Sequence, residues 1–188
     1  MNVRELLSDR RTVHDYRAGA LPEGALARAV EAAISAPNHR MTEPWRFVQV
    51  GPRARQQLLE ISAALKAAAG GAPLNANALE KLRAKMLTPS ELLVVCQVKT
   101  DDPDVAREDD AAIACSVYGA MLSLWSEGVG SKWSTGEVTT DERTYTCLGI
   151  DPSREEIVGF VWVGYAAKPD IPKPRRRRAL SEVLRSVP

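Results

Sequence analysis

"LPEGALARAVEAAISAPNHRMTEPWRFVQV", residues 21–50, runs a helical pattern into a strand pattern through a loop crowded with polar side chains. Leu26, Val30, Ala33 and Ile34 fall on one helical stripe, and Pro22 suits a first helical turn. Pro37 ends the helix, because proline offers no N–H and clashes with the preceding turn. "WRFVQV" then reads as a strand bounded by Gly51 and Pro52. The unit is therefore a helix delivered onto a sheet. Within the loop, Asn38, His39, Arg40, Thr42 and Glu43 precede Pro44, Trp45 and Arg46. A lone loop histidine is ordinarily a local hydrogen-bonding group and a lone tryptophan ordinarily core. By itself the stretch names no chemistry.

The same alternation continues on both sides. "VRELLSDR" reads as a short helix with Val3, Leu6 and Leu7 on one face. Residues 53–69 form an Ala- and Leu-rich helix stopped by Gly70 and Gly71, and residues 72–90 hold another around "ALEKLRAKML", polar enough to be an exposed lid. "ELLVVCQV" is an interior strand and "DDPDVARED" a loop. "DAAIACSVYGAMLSLWSEG" is a long helix whose small residues allow close packing. A short strand near "SKW", a helix "DERTYTCLG" closed by Gly149, and a strong strand "EIVGFVWVG" complete the series. The tail "YAAKPDIPKPRRRRALSEVLRSVP" is rich in Pro and Arg, and is expected to lie over another surface. Strands alternating with helices imply a mixed α/β or α+β fold, one sheet covered by helices.

Composition bounds the function. The chain has 188 residues, which suits one domain, with 45% apolar and 26% charged residues. Twenty-five Lys and Arg against 24 Asp and Glu leave a net charge of +1, unlike a protein whose whole surface serves nucleic acid or anionic membrane. Cys96, Cys115 and Cys147 show no paired spacing, and two histidines complete no zinc pattern. No metal is expected. "MNVRELLSDRR" is charged from its fourth residue, unlike a signal peptide, and no run approaches a membrane span, so a cytoplasmic location is the expectation.

Four places can carry chemistry. "DRRTVHDYR", residues 9–17, sets two arginines and a hydroxyl after a helix, a plausible anion site that read alone is also an ordinary solvated pair. The loop at 38–46 is the second. "GVGSKWSTGEV" supplies glycines for close backbone approach, with hydroxyls beside an aromatic, but lacks the phosphate-loop and dinucleotide fingerprints. "KPRRRR", residues 173–178, reads as a solvated basic tail, or secondly as a nucleic-acid segment. No nucleophile elbow is present. Arginines, hydroxyls and tryptophans spread along the chain suit an anionic aromatic cofactor that does the chemistry itself.

Taken in order, these places resemble the nitroreductase family of FMN-dependent oxidoreductases. "RRTVHDYR" is similar to the family's Arg-Arg-Ser/Thr opening, and "ALARAVEAAISAPNHRMTEPWRFVQV" to its helix, Pro-Trp-Arg/Lys-Phe and strand module. "GVGSKWSTG" and "EIVGFVWVGYAAKP" resemble its later turn and strand. The Ala-Pro-Asn-His-Arg form looks most like the short bacterial subgroup with Ala-Pro-Asp-His-Lys, although Glu43 stands where Gln is usual.

The resemblance implies one domain over residues 1–188. It is an α+β fold with a mostly antiparallel central sheet flanked by helices, and a tail, 165–188, wrapping the partner subunit. It further implies a homodimer with FMN at the interface. Arg10, Arg11 and Thr12 are expected on FMN from the N-terminal loop, Ser35 and His39 from the helix end, and Trp133, Ser134 and Thr135 from the later turn. Arg177 is expected on the phosphate, with Arg175 or Arg176 as rivals, because "RRRRALSEV" aligns loosely with the family's ending. Ser123, Leu124, Trp125, Ser126, Glu127 and Gly128 would meet NADPH or NADH, although a helical core reading competes there. The implied activity is hydride transfer from NAD(P)H through flavin N5 to a nitroaromatic or quinone-like acceptor, by a ping-pong scheme. Other chemistry on the same fold (flavin fragmentation, dehalogenation or substrate oxidation), flavin binding without turnover, and a nucleic-acid module using the tail stay open.

Overall fold

The computed structural model describes residues 2–168 and 177–187. In chain order the elements are α1 (Val3–Asp9), β1 (Tyr16–Arg17), α2 (Ala25–Ile34), a 3-10 turn at His39–Met41, β2 (Trp45–Gln49), α3 (Pro52–Gly70) and α4 (Ala76–Leu87). There follow β3 (Glu91–Val98), α5 (Pro103–Ser126), β4 (Gly130–Ser134), α6 (Glu137–Thr140), α7 (Glu142–Leu148), β5 (Glu155–Ala166) and α8 (Leu180–Val183). The sheet runs β1-β5-β3-β2, with β4 also paired to β5, and every strand pairing is antiparallel.

β3 and β5 are the spine, because their apolar runs are buried on both faces. Alternate residues divide the core in two. Leu93, Val95, Val161 and Val163 face a layer built from α2 and α5. Leu92, Val94, Phe160 and Trp162 face a second layer built from α3 and α4. The α+β expectation with a mostly antiparallel, helix-covered sheet is met.

α2 and α5 approach closely through small residues. A Cβ on Gly119 of α5 would lie 3.0 Å from the Ala32 carbonyl oxygen of α2, so a side chain there would push the helices apart. The buried face of α2 is Ala25, Ala29 and Ala33. Leu26 and Val30 are half-buried, and Ile34, expected on the inner stripe, is 49% exposed. Pro22 lies before the helix, not in its first turn. Gly24 adopts φ 72° and the Pro22 carbonyl accepts from the Ala25 N–H at 3.0 Å, so α2 starts only after that turn.

Two further expectations change. "DDPDVARED" is not a loop: it lies largely in the first turns of α5. Asp102 caps the helix by accepting from the N–H groups of Asp104 and Val105 at 2.9 and 3.2 Å, and Pro103 takes the position where a missing N–H costs nothing. α4 is not a free lid, since Leu82 and Met86 are buried in the second core layer. The buried Arg55 of α3 donates to the carbonyls of Met86 and Pro89, at 2.8 and 2.7 Å, and so ties the end of α4 down. β5 runs to Ala166, into the segment expected to open the tail. Arg175 and Arg176 lie outside the described residues. Among the described residues no helix is long and apolar enough to cross a membrane.

Candidate functional site

Among the described residues, the loop after α2 holds every non-glycine residue with a positive φ. Arg40, Met41 and Glu43 take φ values of 63°, 52° and 47°. L-residues avoid this left-handed region, at a cost of about 1–3 kcal/mol each, unless the surroundings hold them there. Here they are held. The Asn38 side chain donates to Thr42 Oγ1 at 3.0 Å and accepts from the Glu43 N–H at 2.7 Å. Thr42 Oγ1 donates to the buried Asp109 carboxylate at 2.5 Å. Glu108 takes His39 Nδ1 at 2.8 Å and Arg40 Nε at 3.3 Å. The His39 side chain remains largely exposed beside this carboxylate, at 68% of its surface. Ser35, at the end of α2, is exposed and its hydroxyl donates back to the Glu31 carbonyl at 2.9 Å.

The N-terminal arginines are fastened beside β4. Thr12 bridges Ser131 in parallel, and the Val13 N–H donates to the Ser131 carbonyl at 3.1 Å. A Cβ on Gly130 would lie 2.4 Å from Val13 Cγ2, so that approach requires glycine. The Arg10 guanidinium lies 5.9 Å from the centre of the Tyr118 ring on α5. Arg11 Nη1 donates to the Ser8 and Arg10 carbonyls at 2.5 and 3.1 Å. Two groups of expected site residues are therefore apart in one chain. Glu108, which holds His39, and Tyr118, beside Arg10, lie about 15 Å apart along α5 at ~1.5 Å per residue.

β4 ends at a turn that opens a cavity. Trp133 and Ser134 leave the sheet on opposite faces. Trp133 crosses Gly159 on the α5 side and keeps 37% of its surface exposed. Ser134 Oγ accepts from the Trp162 indole N–H at 2.9 Å on the α3–α4 side. Gly136 adopts φ 146° and so exposes its backbone where a side chain would be strained. Ser134, Thr135 and Gly136 form one wall of a cavity of ≈820 Å³. Trp162, Phe160, Leu82 and Met86 supply apolar surface, and Lys66, Lys81 and Lys85 supply charge, with Glu137 as the acidic member. Lys85 is exposed by surface area, yet desolvation, ahead of repulsion from Lys132 and Lys66, lowers its pKa.

The remaining expected residues are placed as follows. Ser123 to Gly128 form the last turn of α5 and its exit, and do not line this cavity. Leu124 is buried in the first core layer, and Glu127 pairs with both ends of the Arg28 guanidinium at 2.9 and 2.6 Å. Ser126 and Gly128 are exposed. Arg177 is exposed and shortly precedes α8. Sequence reading missed the three cavity lysines, Trp162, and the Glu108–Asp109 pair that anchors the His39 loop. One signal was available. Lys81 and Lys85 stand four apart, hence on one face of α4.

A model of the family described as "Nitroreductase family" matches residues 7–165. A Bacillus subtilis (strain 168) protein, YfhC, named among the NAD(P)H nitroreductases, is 27% identical over 165 residues, covering 87% of this chain and 84% of that one. A crystal structure of a nitroreductase-like family protein from Bacillus cereus superposes with a TM-score of 0.83 at 21% identity, over 100% of this chain and 96% of the other. A nitroreductase-like structure from Desulfovibrio desulfuricans, solved in complex with FMN, superposes at 0.72 and 22% identity, over 100% and 98%.

Proposed function

The chain belongs to the nitroreductase family, and from that premise we propose that it binds FMN beside the β4 turn and carries electrons from NADPH or NADH to a small organic acceptor, nitroaromatic or quinone-like. The observation that carries the reading is the turn Ser134–Gly136 opening into a cavity with apolar walls and cationic lining. A planar, electron-poor ring with polar edges fits such a surface.

The donor set suits FMN. Arg10 and Arg11, with Arg177 from the tail, match a phosphate that carries close to two negative charges. Ser134 and the backbone of Thr135 and Gly136 would offer polar contacts to the ring from the cavity wall, while Trp133, on the opposite face of the sheet, would offer its exposed edge at the mouth of the turn. Lys85, which lines the same cavity, would suit the ring's O2 edge, where negative charge gathers on reduction. FMN, when bound, supplies two-electron acceptance and donation at N5. The chain's own work is to orient that ring, screen its charge and leave one face open. Donor and acceptor then use the same space in turn, the ping-pong order.

A second copy completes the site in this reading. Ser35 and His39 are assigned to the cofactor of the partner, the His39 loop being anchored at Glu108, about 15 Å along α5 from the Tyr118 beside Arg10. Ile34, Met41 and Tyr118 leave apolar surface exposed, and α8 exposes Leu180, Val183 and Leu184. Both call for a covering surface. At the end of α5, the reading assigns to the nicotinamide nucleotide the exposed Ser126 and Gly128 together with Ser123, Trp125 and Glu127, and leaves Leu124 to packing.

The test is reconstitution. The protein is expected to sediment as a dimer and to take up one FMN per chain, and Lys85→Ala and Arg10→Ala are each expected to weaken that uptake. A monomer that binds no FMN would refute the proposal.

A further inference from the structure

The cationic lining of the α3–α4 cavity exceeds what a flavin ring needs. Lys85 alone suits the ring edge, which leaves Lys66 on α3 and Lys81 on α4 facing the same space. Lys81 and Lys85 stand four residues apart on one face of α4, so they repel each other along the helix. Lys66 and Lys132 add further repulsion at Lys85. None of the three lining lysines forms an ion pair among the described residues, although carboxylates neutralise cations elsewhere. On α4 itself Arg83 stands opposite Glu80, away from the cavity. Glu137 is the one acidic residue in the lining.

All three ammonium groups are exposed to solvent at the cavity, where an arriving anion meets several cations and a single carboxylate. Leu65, Ala69, Leu74 and Ala78 add apolar surface to the same lining. The complementary ligand therefore has a flat or apolar body and one negatively charged group at its outer end. We propose that Lys66 and Lys81 form an anion subsite that selects, among the molecules docking over the cofactor, those carrying a carboxylate or a phosphate. The inference rests on the FMN reading and deepens it, by naming the charge of the substrate class. Two molecules can bring that chemistry: a carboxylated aromatic acceptor, or the extra phosphate that distinguishes NADPH from NADH.

The experiment separates them. Wild type and the Lys66→Gln/Lys81→Gln double variant are loaded with FMN, and cofactor content is read by absorbance before any acceptor is added. Turnover is then measured with 4-nitrobenzoate against neutral 4-nitrobenzyl alcohol, and with NADPH against NADH. For an anionic acceptor, wild type prefers 4-nitrobenzoate in kcat/KM by roughly tenfold, the scale of one charge-assisted contact. At equal FMN content the double variant loses that preference, its ratio of kcat/KM for 4-nitrobenzoate over 4-nitrobenzyl alcohol falling toward one. If the anion belongs to the donor, the NADPH to NADH ratio collapses instead, and the subsite stands with the nucleotide as its ligand. If both ratios are the same in wild type and variant, the inference is overturned while FMN binding stands. A variant that only loses FMN affinity also overturns it, since the lysines would then serve the cofactor. A wild type that takes up no FMN removes the reading and the inference together.

Discussion

Gly159→Ala tests the packing that sets Trp133 beside the proposed flavin. Gly159 lies in β5, and a Cβ built there would sit 2.3 Å from Trp133 Nε1, 2.8 Å from its Cδ1 and 3.0 Å from the Ser134 carbonyl oxygen. Ordinary carbon contacts are about 3.5–4.0 Å, so the indole has to retreat by more than about 1 Å. It can do so only outward, because its inner edge rests on the sheet. Trp133 is 37% exposed. If half of its buried area, about 80 Å², returns to water, the loss is about 2 kcal/mol at roughly 25 cal/mol per Å². Replacing glycine by alanine in a strand returns about 0.5–1 kcal/mol. The net destabilisation is therefore about 1–1.5 kcal/mol, or roughly 2–6 °C in Tm for a chain of this length. Differential scanning calorimetry of Gly159→Ala, Trp133→Ala and the double variant measures it. The single Gly159→Ala variant melts lower and holds FMN less tightly. In the Trp133→Ala background the same substitution costs much less, because the indole clash is gone and only the 3.0 Å approach to the Ser134 carbonyl oxygen remains. Equal losses in both backgrounds would refute the contact.

Other outcomes follow from the same geometry. Thr42→Val removes the hydroxyl that donates to the buried Asp109, and urea unfolding should show a loss of roughly 1.5–3 kcal/mol. Glu108→Gln weakens the hold on the exposed His39 and Arg40, so stability should change by less than about 1 kcal/mol while FMN titration shows weaker binding; unchanged FMN affinity would remove His39 from the site. The N–H groups of Val105 and Asp104 hold the Asp102 carboxyl below its usual range. Its contribution is complete above the unfolded pKa of about 3.9 and is lost as pH falls through the lowered folded value. Asp102→Asn should flatten that part of an acid-unfolding curve. Burial pushes the Cys96 thiol up to about 12, so Cys96 should resist alkylation at neutral pH until the protein unfolds, as peptide mapping would show.

The strands were the most legible part of the sequence. "ELLVVCQV" and "EIVGFVWVG" are long apolar runs, and buried central strands need little else. α5 was truncated because three aspartates near its start read as loop, when an Asp-Pro pair is also a cap followed by a first-turn proline. β1 escaped notice because two residues carry no period. The left-handed conformations at Arg40, Met41 and Glu43 carry no glycine to mark them; they exist because Asn38 ties the loop from within and Glu108 and Asp109 hold it from α5. Residue types in the family-like motifs named Arg10, His39 and Ser134 without locating them in space. The lysine-lined cavity was out of reach for a similar reason. It forms where α3 and α4 meet a turn more than forty residues away in sequence, across a sheet that non-local pairing assembles.

The central claim is that this chain cycles a bound flavin between an NAD(P)H donor and a separate acceptor. Anaerobic spectroscopy of the FMN-loaded protein tests it most directly. Addition of NADPH or NADH, with no acceptor present, should bleach the flavin bands to completion, and a nitroaromatic or quinone added afterwards should restore the oxidised spectrum with no loss of flavin. A protein that stays colourless after incubation with FMN, or that holds FMN which neither nucleotide bleaches, would contradict the account.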